Sequence, residues 1–158
     1  MIIFNSPSHE LPYMVFLDLY QKSIEAKQKN IEAMSISSYS SDNKEVNARF
    51  VNLKFINDKE FIFFSNYNSP KSKEFHSHNQ ITCLIYWNSI NTQIRIKAYI
   101  KKTTKEFNQT YFVQRNKMKN ALSISSNQSF PIDSYEAVKK NYELSVEEGN
   151  LNICPEYC

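Results

Sequence analysis

Cations, hydroxyls and amides gather in one stretch of this 158-residue chain, from Ala48-Arg-Phe-Val-Asn-Leu-Lys54 through Glu60-Phe-Ile-Phe-Phe-Ser-Asn-Tyr-Asn-Ser-Pro-Lys71. Arg49, Lys54 and Lys71 stand there with Ser65, Asn66, Asn68 and Ser69. An Arg offers a planar fork of donors, a Lys a point charge, and loop hydroxyls and N–H groups can fill the remaining oxygens of a phosphate-bearing ligand. The same residue types also make an ordinary solvated hairpin end, and composition leaves both readings open. A second group lies further on, where Tyr111 and Arg115 are four residues apart and would share a helix face. A phenol beside a guanidinium is an anion clamp, or a Tyr packed under a surface Arg. Lys117 and Lys119 add cations nearby. His76 and His78, two positions apart on a short helix, would point to different sides, so they read as solvated histidines and no metal site is expected.

The elements that must position these groups follow from periodicity. Arg49, Val51 and Leu53 share one strand face and Phe50, Asn52 and Lys54 the other. Asn57-Asp58-Lys59 is a turn, and Phe61 to Phe64 is an aromatic and β-branched run suited to a buried strand. Upstream, Val15, Phe16, Leu19, Tyr20 and Ile24 recur at helical spacing, predicting a helix over 13–27. Met34 to Tyr39 alternates as a strand. Lys71 to His78 reads as a short helix with Ser69 as its cap and Pro70 in first position. Strands follow at 81–87 and 93–101, with Gln93, Arg95 and Lys97 on one face and Ile94 and Ile96 on the other. Thr103-Thr-Lys-Glu106 opens a helix that runs to about Arg115. Residues 121–128 form a short helix or loop, and Ser134 to Glu147 is the last helix. The order predicts an α+β fold, mainly β with flanking helices around an antiparallel sheet. Residues 1–12, with Pro7 and Pro12, read as an N-terminal arm, and 13–158 as a single domain.

Composition narrows the class. A hydrophobic fraction of 41% with 14% aromatics supports a packed core, and a net charge of +3 is mild. No Lys/Arg block marks a nucleic-acid arm or a membrane-surface helix, so neither partner is expected. Cys83, Cys154 and Cys158 lack metal-like or secreted spacing, and Cys83 in Ile81-Thr-Cys-Leu-Ile85 reads as a core residue. The sequence suggests no signal peptide or membrane helix, and a reduced, cytoplasmic protein is the expectation. Gly149 is the single glycine, so turns must rely on Asn, Asp and Ser.

The motifs Arg49-x-Val-x-Leu-Lys54, Phe63-Phe-Ser-Asn-Tyr-x-Ser-x-Lys71, Trp87, Gln93-Ile-Arg-Ile96, Tyr111-Phe-x-x-Arg115 and Asn127-Gln-Ser129 occur in an order and approximate spacing that resemble the pyridoxamine 5′-phosphate oxidase family. The resemblance covers about residues 11 to 150. It implies a split β-barrel, a homodimer, and flavin mononucleotide (FMN) at the subunit interface. Carried onto this sequence, it implies that Arg49 and Lys71 hold the flavin phosphate, that Phe64 and Ser65 lie along the flavin, and that Gln93, Gln128 and Ser129 complete its polar contacts. Lys54, which also neighbours the cofactor, would join Tyr111, Arg115 and Lys119 around the substrate's phosphate. The implied reaction is oxidation of pyridoxamine or pyridoxine 5′-phosphate to pyridoxal 5′-phosphate, with dioxygen as acceptor and hydrogen peroxide as product. The flavin would carry the chemistry and no catalytic side chain is assigned.

Three departures from the family pattern accompany the resemblance. Pro70 stands where the family has an Arg beside Lys71, and Lys119 where it has a substrate-phosphate Ser. Cys158 precedes the family's closing Trp-Gly-Gly segment and Arg-x-His-x-Arg strand pair, which carry contacts to substrate and flavin. The alternative expectation is therefore a barrel that binds flavin or pyridoxal phosphate with little turnover.

Overall fold

The computed structural model describes residues 1–126 and 129–157, and within it the chain divides into two compact units. The first comprises Met1–Ser65 and Glu74–Ile100; the second comprises Asn66–Lys73 and the chain from Lys101 on.

The first unit is a six-stranded mixed sheet with helix α1 against it. Its strands are β1 (Ile3–Pro7), β2 (Ala33–Ser40), β3 (Glu45–Asp58), β4 (Glu60–Phe63), β5 (Gln80–Trp87) and β6 (Thr92–Tyr99), and α1 spans Leu11–Glu25. The order is β1-β3-β2-β5-β6, with β4 also paired to β3. Most pairs are antiparallel, but β1 lies parallel to β3, so the purely antiparallel expectation is corrected. The same pair corrects the reading of residues 1–12 as an arm. Ile3-Phe-Asn5 pairs with Phe55-Ile-Asn57, and Ile2 is 5% exposed within the core, so apolar burial and ladder bonds fix the segment.

Strand β3 is the spine. Its first part pairs with β2 from Glu45 to Asn52, its last part pairs with β4 and β1, and the register shifts between Leu53 and Phe55. That bulge breaks the period of two, which is why Leu53, Phe55 and Ile56 are all buried. The β3–β4 connection is tight: Asn57 faces Glu60 across Asp58 and Lys59, and Asp58 adopts φ 48°. Asn30 and Asn91 likewise take left-handed backbone, as a chain with one glycine requires, although Lys27 and Lys44 do so too.

The core of this unit forms where α1 meets the sheet. Phe16 and Tyr20, four apart on one helix face, pack on Trp87 at ring distances of 5.4 and 6.0 Å, and Phe61 meets Phe16 edge-on at 5.2 Å. Their polar atoms are satisfied: Trp87 Nε1 donates to the Ile31 carbonyl, and the Ile2 N–H donates to the Tyr20 hydroxyl, both at 2.9 Å. Met34, Ile36, Cys83 and Ile85 complete the buried layer.

Helix α2 (Pro70–Ser77) crosses the division between the units. The second unit holds α3 (Lys105–Gln114), α4 (Lys117–Ser125) and α5 (Tyr135–Glu148). Each begins at a side-chain cap: the side chains of Thr104, Asn116 and Ser134 accept from the N–H groups of Phe107, Met118 and Ala137. The cap of α3 is thus Thr104 rather than Thr103, whose hydroxyl is engaged with Asn108 at 2.5 Å. No helix among the described residues is long and apolar enough to cross a membrane.

Candidate functional site

In the first unit the sequence-predicted cation Arg49 sits on the inner face of the sheet. Its register neighbours across the strands are Ile36, Cys83 and Ile96, all core or core-packed residues. A guanidinium on an apolar face needs a counter-charge, and Glu74 from α2 supplies it. Arg49 Nη2 donates to Glu74 Oε2 at 2.7 Å and Nη1 to Ser38 Oγ at 2.5 Å. The Ser38 hydroxyl donates in turn to Glu74 Oε2 at 2.5 Å, and Asn47 Nδ2 to Glu74 Oε1 at 3.1 Å. Side-chain exposure is 22% for Arg49 and 8% for Glu74. Burial works to raise the Glu74 carboxyl, but the hydrogen bonds from Ser38, Arg49 and Asn47 and the Arg49 charge outweigh it and hold its pKa below the ordinary value. The Glu74 carboxyl is therefore ionised at neutral pH.

Lys54 is likewise matched by a carboxylate. It leaves β3 at the bulge, and its Nζ meets Glu32 Oε1 at 2.7 Å, with both side chains a little over one-fifth exposed. Glu32 also receives the Met1 ammonium at 2.7 Å. Burial raises the Glu32 carboxyl, and the hydrogen bonds and charges of Lys54 and the N-terminus more than offset that, leaving its pKa lowered.

Phe64 and Ser65 follow β4. The Phe64 ring stands edge-on to Phe55 at 6.2 Å, whereas the Ser65 hydroxyl is buried and has no hydrogen-bond partner among the described residues. Gln93 lies on the outward face of β6 opposite Tyr86, so the sheet places it on the other side from Arg49. That outward face also holds Val46, Phe50, Tyr86 and Tyr99, all exposed. A hollow of about 250 Å³ on this unit is lined in part by Ser37, Ser38, Thr82 and Lys97.

In the second unit Lys71 Nζ donates to Ser69 Oγ at 3.0 Å. Ser69, just before α2, is fully buried; its hydroxyl donates to the Asn66 carbonyl at 2.6 Å, and its carbonyl accepts from the Ser72 N–H at 2.9 Å. Helix α3 ends at Gln114, beside the expected bound at Arg115. Arg115 caps α3 in extended conformation, with ψ 164°, because the chain turns there into the Asn116 cap of α4. The Arg115 N–H still donates to the Tyr111 carbonyl at 3.1 Å, the last helical bond of α3. The Arg115 guanidinium bonds the Lys119 carbonyl at 2.8 Å and the Ser123 hydroxyl at 3.0 Å, and lies 5.6 Å from the Phe112 ring. Lys119 is exposed, and Ser129 is an exposed turn residue at φ 68°. Gln128 lies outside the described residues.

Glu74, Ser38, Asn47 and Glu32 were not singled out from the sequence. The signal for Glu74 was nonetheless present, since placing Arg49 on the Val51/Leu53 face put a cation among core residues and so required a carboxylate from a neighbouring element.

Comparison with known proteins decides the family. Pyridoxine/pyridoxamine 5′-phosphate oxidase 1 of Hydrogenovibrio crunogenus is 31% identical over 146 residues, covering 91% of this chain and 67% of that protein. The chain belongs to the pyridoxine/pyridoxamine 5′-phosphate oxidase family. The corresponding oxidase of Vesicomyosocius okutanii is 35% identical over 72% of this chain and 54% of its own length, and that of Burkholderia lata 31% over 87% and 63%. The chain thus spans about half to two-thirds of the curated relatives it matches. No family model matches it. Among solved structures, PhzG of Burkholderia lata, in complex with tetrahydrophenazine-1-carboxylic acid, superposes with TM-score 0.86 at 20% identity, covering 92% of this chain and 72% of that one. A pyridoxamine 5′-phosphate oxidase-related, FMN-binding protein of Nostoc punctiforme gives TM-score 0.62 at 10% identity over 82% and 72%. At these identities the two structures establish a shared fold.

Proposed function

We propose that this chain is a cytoplasmic flavin oxidoreductase that holds FMN on a split β-barrel and oxidises pyridoxamine or pyridoxine 5′-phosphate to pyridoxal 5′-phosphate with dioxygen as acceptor. Family membership at 31% identity over 146 residues carries the reading. The residues present fit the cofactor in two respects. The buried Ser65 hydroxyl has no partner among the described residues, as a group reserved for a ligand's polar atom would be. Arg49 donates only two of its five N–H groups within the described residues, leaving donors for a phosphate.

In this reading Arg49 and Lys71 hold the flavin phosphate, Phe64 packs along the ring system, and Ser65, Gln93, Gln128 and Ser129 supply its polar contacts. When bound, the flavin accepts two electrons from the substrate carbon bearing the amine or alcohol and passes them to dioxygen. The protein's share is positioning: Lys54, Tyr111, Arg115 and Lys119 would grip the substrate phosphate, so that binding energy remote from the reacting carbon orients it. A homodimer belongs to the same proposal. The exposed Phe50, Tyr86 and Tyr99 on the outward sheet face suit burial by a second copy, which would also cover the face carrying Gln93.

The visible absorption of the purified protein, recorded after incubation with FMN and dialysis, tests the cofactor. A retained flavin spectrum followed by hydrogen peroxide release on adding pyridoxamine 5′-phosphate supports the reading. A colourless protein refutes the cofactor assignment, and a yellow protein that releases no peroxide with either phosphate refutes the reaction.

A further inference from the structure

The ion pair on the inner sheet face has a geometry that says more than that Arg49 is neutralised. Arg49 commits one N–H of each terminal nitrogen, and the two acceptors, Ser38 Oγ and Glu74 Oε2, are themselves 2.5 Å apart. The end of the fork is therefore docked against a hydroxyl–carboxylate pair, while Nε and the second hydrogens of Nη1 and Nη2 have no protein acceptor among the described residues. A guanidinium held by its end retains a side edge, Nε–H with one N–H, which is the edge that fits two oxygens of a phosphate in parallel. The holder is rigid. Glu74 accepts from Arg49, Ser38 and Asn47 and is 7% exposed, so its carboxylate is set by three donors from two strands. Asn47 and Ser38 are register partners on β3 and β2, which fixes both donors to the sheet.

We infer that Glu74 is a positioning residue for phosphate recognition: with Ser38 it docks the end of the Arg49 guanidinium and so presents its remaining edge to the phosphate of the flavin. The inference rests on the flavin reading above. It opposes the other meaning the same contact could have, a carboxylate that competes with phosphate for Arg49. Glu74 is bound by Ser38 and Asn47 as well as Arg49, so it is not poised to leave, and it takes only one of the five Arg49 donors, Ser38 taking a second.

The test compares FMN with riboflavin, which has the same ring system and no phosphate, by flavin fluorescence titration of the full chain. Wild type is expected to prefer FMN. Glu74→Gln should weaken FMN about tenfold, the equivalent of one charge-assisted hydrogen bond, and change riboflavin affinity less than twofold, so that the preference collapses. Equal losses for both flavins would show a merely structural role, and tighter FMN binding would show a competitor; either overturns the inference. If Glu74→Gln does not fold, Ser38→Ala takes its place, since it removes the hydroxyl seated between the two charges. A loss confined to FMN then supports positioning, and an unselective loss or none overturns it. Wild type that binds neither flavin, or binds both alike, overturns the flavin-phosphate assignment itself, an outcome distinct from indifferent variants of a protein that prefers FMN.

Discussion

Replacing Glu74 by Ala should destabilise the protein strongly, because it strips the counter-charge from a guanidinium that the sheet holds among core residues. Removing one partner of a buried pair costs about 3–5 kcal/mol. Glu74 is 8% exposed and Arg49 22%, so water can reach part of the orphaned cation, which places the loss at the lower end, about 3 kcal/mol. For a chain of this size that is a fall in Tm of about 6–12 °C, read by circular dichroism or calorimetry. The pH dependence supplies the sign. The folded pKa of Glu74 lies below its ordinary value of 4.5, so the ionised carboxylate favours the folded state. That contribution is fully present above pH 4.5 and is lost as pH falls through the lowered folded value. The gap between wild type and Glu74→Ala should therefore be constant from pH 6 to 8 and close in acid. A loss under about 1 kcal/mol at pH 7, the magnitude of an exposed pair, would refute the view that the sheet buries this charge. A gap that persists unchanged in acid would refute its electrostatic origin.

Four further outcomes follow from the same geometry. Lys54→Met should cost about 1 kcal/mol by urea denaturation, since its pair with Glu32 is more open than Arg49–Glu74; because the Glu32 pKa is lowered, that cost should also fade as pH drops below 4.5. Cys83, 4% exposed and pushed by burial up to about 11, should resist a thiol reagent in the native protein and react only on unfolding, while the half-buried Cys154 reacts before it. The raised Cys83 pKa makes its stabilising share complete below the ordinary thiol value of 9 and lost as pH climbs towards 11, so alkaline melting of wild type should be steeper than that of Cys83→Ala. On the proposed function, Arg49→Ala should weaken FMN far more than pyridoxamine 5′-phosphate, and Arg115→Ala the reverse; equal effects on both ligands would remove the two-phosphate assignment.

Much of the sheet was legible because its strands obey simple periods. Met34–Tyr39, Ile81–Trp87 and Gln93–Lys101 alternate inward and outward residues, and the structure pairs them antiparallel over nearly those bounds. Helix α1 was equally plain, since Phe16 and Tyr20 repeat at one turn. The failures lie where a long-range partner, rather than a local pattern, makes the element. Ile3–Pro7 contains a proline and polar residues and has no period of its own; it is a strand because β3 runs beyond β2 and offers it a free edge. The bulge at Leu53–Phe55 was invisible for the same reason, being defined by where β4 pairs.

The site divides along the same line. Residue types identified the cations, and the family motifs named Arg49, Lys54, Lys71 and Arg115, but neither tells which cations are already paired. Arg49 and Lys54 each meet a carboxylate 2.7 Å away, from residues 25 and 22 positions distant in the chain, beyond any local pattern. Those partners bear on what the cations can do. A free Arg at a phosphate site draws the ligand but leaves the fork to rotate, whereas one docked on Ser38 and Glu74 has given up part of its charge for a fixed direction. For a site that must seat a phosphate repeatedly in one register, direction is the scarcer quantity, because the ligand brings charge of its own and water competes for any donor that is not already aimed.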